Sequence, residues 1–378
     1  MANEIQAVRN VYDIMKASKD NGSPLTDDCI QMLLKHTVTD PCLINKYKRF
    51  ESGFAAEDLF MQIYSLLPWV RLITPLGQEQ FPETSKEEYQ VVDYEVIYEI
   101  GDYKHTKCIL VEAKLIDGDK KTHKIKKCQY DVLRNYAENK HEDVLYALFW
   151  RKYGLWTLVP IEAYSEKSST YKISFEEAFR NDVSSIFGDY TYFFMDTVFR
   201  KSRYTSEKDS QTEYMHMHEQ YGSVLYDGIS SNGKDYEKLC FLEIPVLDCA
   251  FDFKENHIAT DGNVTELIET MEKMPYVYRL SNLILKYLLK TYCYNPLDMY
   301  CSDNDVVKNA FNIVDTVRRK CNGKKYYLIP KNNSTTDRLF QTQFGNVRHI
   351  IDAYKRTKKE LKGVSFVSHD GFEDIIIL

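Results

Sequence analysis

Residues 109–131 read ILVEAKLIDGDKKTHKIKKCQYD. An apolar, strand-like run carries Glu112 and Lys114 two residues apart, and a lysine-rich loop follows. Side chains alternate along a strand, so a carboxylate and an ammonium share one face. Upstream, YQVVDYEVIYEI (89–100) is rich in β-branched and aromatic residues and carries Asp93. The two segments, joined by GDYKHT, form a predicted antiparallel hairpin with its turn between Asp102 and Tyr103. That register sets Asp93 opposite Glu112, with Cβ atoms about 4.5–5.5 Å apart. A slip of one residue would separate them onto opposite faces.

Two carboxylates facing each other in a sheet repel, and the sequence leaves two remedies open. Lys114 can neutralise them as a structural ion pair, or a hard divalent cation, Mg2+ or Mn2+, can bridge them. A buried ion cluster without a ligand is costly to desolvate and stabilises little, which favours the cation. In that case Asp93 and Glu112 are metal ligands. Lys114, on the same face, then lies beside that ion. The pattern Glu-x-Lys recurs at Glu138–Lys140 and Glu360–Lys362, but there the polar flanks predict solvated helix ends.

The elements around these residues follow from periodicity. FAAEDLFMQIYSLLP (54–68) sets Ala56, Phe60, Ile63 and Leu67 at helical spacing, stopped by Pro68. Strands are predicted at 69–74, 89–100, 107–116, 143–150 and 155–161. A helix is predicted over 122–140, with Ile125, Gln129, Val132 and Tyr136 on one face. An amide on that apolar stripe needs a partner, which makes Gln129 a candidate site residue. The sum is an α/β core with a mixed sheet and helices on its faces, over 51–165. Residues 1–50 are expected to be a helical segment and 166–213 a connector, helical over 175–200 and exposed over 199–213. Residues 214–378 are expected to form an α+β domain for target recognition, dimerisation or sensing. It would hold strands at 238–253, helices near 264–274, 277–292, 304–321 and 345–362, and a strand-like EDIIIL at its end.

The net charge of −7 over 378 residues argues against a protein that coats nucleic acid non-specifically. Residues 104–127 nevertheless hold eight lysines against Glu112, Asp117 and Asp119. Lys120, Lys121, Lys124, Lys126 and Lys127 are therefore candidates for contact with backbone phosphates. Nine scattered cysteines with no CxxC predict reduced thiols in a cytoplasmic protein. No secretion signal is expected at MANEIQAVRN, and no run of 18 apolar residues predicts a membrane span.

Residues 54–161 resemble the PD-(D/E)xK nuclease superfamily, most of all the N-terminal nuclease modules of type I restriction subunits and related phage-defence nucleases. The matching residues are Asp93 in VVDYEV, Glu112 and Lys114 in VEAK, and Gln129 in KKCQYDVLRNYA, with ALFWRKYGLWTLV as the closing strand pair. Val92 stands where the family name has proline. The resemblance implies that Glu57 joins the metal site from the first core helix and that the Ala113 carbonyl adds an oxygen. It also implies Mg2+- or Mn2+-dependent phosphodiester hydrolysis, with double-stranded DNA as the expected substrate and a homodimer or higher oligomer as the expected assembly. An RNA-cleaving, toxin-like effector and a non-catalytic binding or scaffold protein on a nuclease-derived fold stay open beside it.

Overall fold

The computed structural model describes residues 2–189 apart from 78 and 101–104, and most of 191–284. Beyond 284 it describes strand segments at 324–329, 360–361, 364–369 and 372–377. The helix expected at 304–321 and most of those at 277–292 and 345–362 lie outside the described residues, but Tyr278–Arg279 and Glu360–Leu361, within the last two, are strands. The strand-like terminus is a strand, Phe372–Ile377. Contacts divide the chain into two compact units. One is Met1–Asp189 with Leu328–Val367 and Ile376–Leu378, and the other is Tyr190–Tyr327 with Ser368–Ile375. Residues 1–50 and 166–189 thus belong to the same unit as the predicted core.

The first unit opens with α1 (Ala2–Asp20), α2 (Asp27–Thr37), α3 (Pro41–Asn45) and α4 (Tyr47–Tyr64). Thr26 caps α2 by accepting from the Cys29 N–H, and Asp40 caps α3 in front of Pro41. Such caps satisfy helix N–H groups that have no partner of their own. Val8, Val11 and Tyr12 of α1 bury against Ile30, Leu34 and Phe54 in a small core of their own.

The sheet then follows, with β1 (Val70–Pro75), β2 (Tyr94–Glu99), β3 (Thr106–Ile116), β4 (Thr122–Lys126), α5 (Lys127–Lys140), β5 (Val144–Trp150) and β6 (Leu155–Pro160). Strand order is β1-β2-β3-β5-β6, with β3 and β5 parallel and the other neighbours antiparallel. This is the mixed sheet the sequence predicts. Every residue of β5 is buried, as expected for a strand covered on both faces. On one side Tyr130, Leu133 and Ala137 of α5 pack with Leu110, Leu148 and Trp150. On the other, Phe60 of α4 meets Tyr94 at 5.4 Å and Trp156 at 5.6 Å between ring centroids.

The hairpin register is the predicted one: Tyr94 pairs with Val111 and Glu99 with Thr106. The ladder begins at Tyr94, so Asp93 sits just before it rather than in a paired position. The helix expected over 122–140 is shorter. Residues 122–126 form β4, paired with β8 (Thr170–Ser174), which in turn pairs with β7 (Ser165–Lys167). Thr-His-Lys-Ile-Lys alternates with period two, and Ile125 is the buried position of that strand. The apparent helical spacing from Ile125 to Gln129 runs across a strand–helix junction.

The second unit holds an antiparallel sheet. It comprises β10 (Val198–Thr205), β11 (Met217–His218), β12 (Gly222–Ser230), β13 (Glu237–Lys238), β14 (Lys254–Asp261) and β15 (Val264–Met271), preceded in the chain by β9 (Thr191–Phe193). Three expectations fall here. The helix expected over 175–200 stops at Arg180, and Thr191–Phe193 and the start of Val198–Thr205 are strands. The stretch 199–205, read as an exposed boundary, is the central strand between β12 and β15. The helix expected at 264–274 is β15. Val264, Leu267, Ile268 and Met271 have helical spacing, but Asp261-Gly262-Asn263 is a turn, with Gly262 at φ +58°, and pairing with β10 and β14 overrides the spacing.

Candidate active site

β3 is the central strand of the sheet, and its polar pair lies at the end where β2 has not yet begun to pair. Glu112 is 2 % and Asp93 6 % exposed. Lys114 Nζ is 2.7 Å from Glu112 Oε1 and 3.3 Å from Asp93 Oδ2, and it donates to the Ala113 carbonyl at 2.9 Å. The Ala113 N–H donates to Asp93 Oδ2 at 2.9 Å. Asp93 is thus tied to the backbone of the residue between Glu112 and Lys114. The slack left by the missing ladder pair is taken up by a side-chain bond.

Glu112 Oε1 also accepts from Gln90 Nε2 at 3.2 Å, whereas Oε2 is buried with no hydrogen-bond partner. An orphaned carboxylate oxygen in a protein interior is costly. Burial, then the charge of Asp93, pushes the Glu112 carboxyl up to about 7. Burial pulls the Lys114 ammonium down, but Asp93, Glu112 and Glu57 more than offset it and hold it well above the usual lysine range. Lys114 is therefore a fixed cation and a hydrogen-bond donor rather than a base.

Glu57, on α4, feels the same field. Burial and then Asp93 push it up to about 8. Its Oε2 accepts from Arg9 Nη1 of α1 at 2.9 Å. The next residue, Asp58, is buried and takes Arg9 at 2.6 Å, Lys16 at 2.7 Å and Tyr12 at 3.1 Å. Glu57 and Asp93 line a cleft of about 370 Å³ together with Arg9, Gln6 and Tyr94.

A second cleft, of about 560 Å³, is lined by Lys114. Five cations line it, Arg49, Lys114, Lys120, Lys121 and Lys124, with His123 and no carboxylate. The acids of the loop are engaged elsewhere, Asp117 with Arg151 at 2.9 Å and Asp119 with Lys152 at 2.7 Å. His123 Nδ1 lies 2.7 Å from the Tyr164 hydroxyl, and burial, then Lys114, depresses its pKa to about 3.

The structure brings Asp93, Glu112, Ala113 and Lys114 together, sets Glu57 within their field, and gathers Lys120, Lys121 and Lys124 next to them. It separates the rest. Lys127 pairs with Glu166 at 2.8 Å and Lys126 is exposed. Gln129 is not on the apolar stripe. It is exposed in the first turn of α5, where its Oε1 accepts from the Lys126 N–H at 3.4 Å. An amide three residues into a helix closes the cap, a use that spacing alone did not separate from burial. Gln90, Arg9 and Arg49 were missed. None carries a local signal, because each arrives from a separate element.

Among the described residues, no group of three or more His, Cys, Asp or Glu side chains forms a ready metal shell. The donor set is two carboxylates and a carbonyl, with Glu57 held by Arg9. Hard oxygen donors of this kind fit Mg2+ or Mn2+, and the orphaned Glu112 Oε2 is the atom such an ion would satisfy. No helix among the described residues is long and apolar enough to cross a membrane.

No family model matches the chain, and no curated protein matches it. Among solved structures, Hjc, a Holliday junction resolvase from the archaeal hyperthermophile Archaeoglobus fulgidus, is similar at 13% identity and a TM-score of 0.27. The match covers 36% of this chain and 96% of that one.

Proposed function

We propose that this protein is a metal-dependent endonuclease of the PD-(D/E)xK type that hydrolyses phosphodiester bonds in double-stranded DNA. The observation that carries the reading is the buried Glu112 carboxylate, one oxygen on Lys114 and the other orphaned, with Asp93 tied alongside through the Ala113 N–H. Service in restriction or anti-phage defence is the setting that the resemblance to type I restriction modules suggests.

Asp93, Glu112 and the Ala113 carbonyl would hold Mg2+ or Mn2+, with Glu57 joining when it leaves Arg9. The bound ion would polarise the phosphate and acidify a water. Hydrolysis forms one P–O bond from that water and breaks one P–O ester bond, and the departing alkoxide takes up a proton. Lys114, kept protonated by its acids, donates to the water and to the non-bridging oxygen on which charge builds. The cationic cleft takes flanking phosphates. One site cuts one strand, so cleavage of both strands calls for a homodimer.

The test is conversion of supercoiled plasmid to nicked and linear forms with Mg2+ or Mn2+, against a matched RNA. Asp93→Ala, Glu112→Ala and Lys114→Ala are each expected to slow cleavage by about 10²-fold or more. Cleavage untouched in all three would end the site assignment, and cleavage of the RNA alone would replace DNA as substrate.

A further inference from the structure

The two clefts are joined along one helix. Arg49 lines the cationic cleft and Glu57 the acidic one, and both belong to α4. Gly53 lies midway between them. Positions 49, 53 and 57 follow one another by four residues and so drift slowly around one side of the helix. They span about 12 Å along its axis, the axial rise of roughly three nucleotides in one strand of a duplex.

Glycine in a helix interior is a poor choice, less favourable than alanine by about 0.8–1.0 kcal/mol. Crowding does not force it here. A Cβ built on Gly53 would meet no atom of another element within 4 Å, so a neighbouring element does not crowd the helix there. Arg49 is exposed and, like Lys120, Lys121 and Lys124, makes no ion pair among the described residues. The helix thus contributes Glu57 to a cleft that Asp93 also lines, and Arg49 to a cationic cleft that Lys114 lines and that has no carboxylate.

We propose that the Arg49–Gly53–Glu57 side of α4 is a backbone track for the cleaved DNA strand. Arg49 binds a phosphate roughly three nucleotides along the strand from the scissile one, and Gly53 leaves room for the strand to lie against the helix. The track rests on the nuclease reading above, and it assigns substrate-binding roles to two residues outside the Asp93–Glu112–Lys114 constellation. A guanidinium holds a phosphate bidentately, so Arg49 sets the position of the strand as well as its affinity.

The experiment measures binding of a short DNA duplex to the full chain in EDTA across about 50–200 mM salt, and plasmid cleavage with Mn2+. Arg49→Ala is expected to flatten the slope of log K against log salt by about 0.9, the signature of one lost phosphate contact. Gly53→Leu is expected to slow cleavage by about 10²-fold through misplacement of the strand. Gly53→Ala, which fills little of the track, should fold with a Tm at or above wild type, and Arg49→Lys should restore the salt slope but not the full cleavage rate. Arg134→Ala removes a charge paired with Glu138 on α5 and serves as the reference. If wild type binds and cuts while Arg49→Ala and Gly53→Leu behave as Arg134→Ala does, the track is overturned and the nuclease stands. An effect of these variants on RNA alone overturns the track for DNA. A wild type that neither binds nor cuts any nucleic acid removes the nuclease reading first, and the track with it.

Discussion

Lys114 holds the site together because Asp93 and Glu112 both pair with it and Glu57 adds to their field. The pH dependence of the metal-free protein follows from two of them. Glu57 and Glu112 have folded pKa values raised to about 8 and about 7. The folded state therefore binds more protons than the unfolded chain above the usual carboxylate range. Their stabilising contribution is complete below that range and is lost as pH rises through about 7–8. The Tm of the metal-free protein is expected to fall between pH 6 and pH 9, and Glu112→Gln should remove part of that fall. Mn2+ should raise the Tm more at pH 8.5 than at pH 6, where protons compete for the same oxygens. Equal gains at both pH values would disconnect the ion from these carboxylates. His123, depressed to about 3, should show no titration of its ring by NMR between pH 5 and pH 8.

At the scale of elements, α1 is fastened to α4 by Asp58. Its partners are Arg9, Tyr12 and Lys16, all from α1. Asp58→Ala leaves two of those cations without their buried acid and should cost about 2 kcal/mol in urea unfolding, with part of Arg9 still screened by water. The same change should loosen Arg9 and so alter the hold on Glu57, read as a shift in Mn2+ affinity. A different element carries a backbone prediction. Gly262 turns β14 into β15 at φ +58°, where a Cβ meets the following carbonyl. Gly262→Ala is expected to cost about 1 kcal/mol, and an unchanged denaturation midpoint would contradict the hairpin.

Over the whole molecule, a chain of net charge −7 keeps a local cationic cleft beside three carboxylates. Long-range repulsion of nucleic acid and short-range capture then depend oppositely on salt, so binding is expected to flatten below about 50 mM salt and to decline steadily above it. If the active form is a homodimer with one site per strand, mixing wild type with Lys114→Ala should accumulate nicked plasmid at the expense of linear product. A linear product that falls only in proportion to the wild-type dose would favour independently acting chains.

That Asp93, Glu112 and Lys114 come together was legible before any coordinates. Glu112 and Lys114 share a face because strands alternate, and the hairpin register follows from the length of the turn. Tertiary structure decided what those rules do not reach. Asp93 is held by the Ala113 N–H where the ladder stops one residue short. β4 and β15 became strands because partner strands were available, although lysine content and helical spacing pointed elsewhere. Gln129 left the core because it was needed at the helix cap. Arg9, Arg49 and Gln90 entered the site from segments 22 to 103 residues from Glu112 in sequence, and no local pattern encodes a contact made by packing. Short-range periodicity fixes which side chains point together, while long-range burial fixes which elements meet.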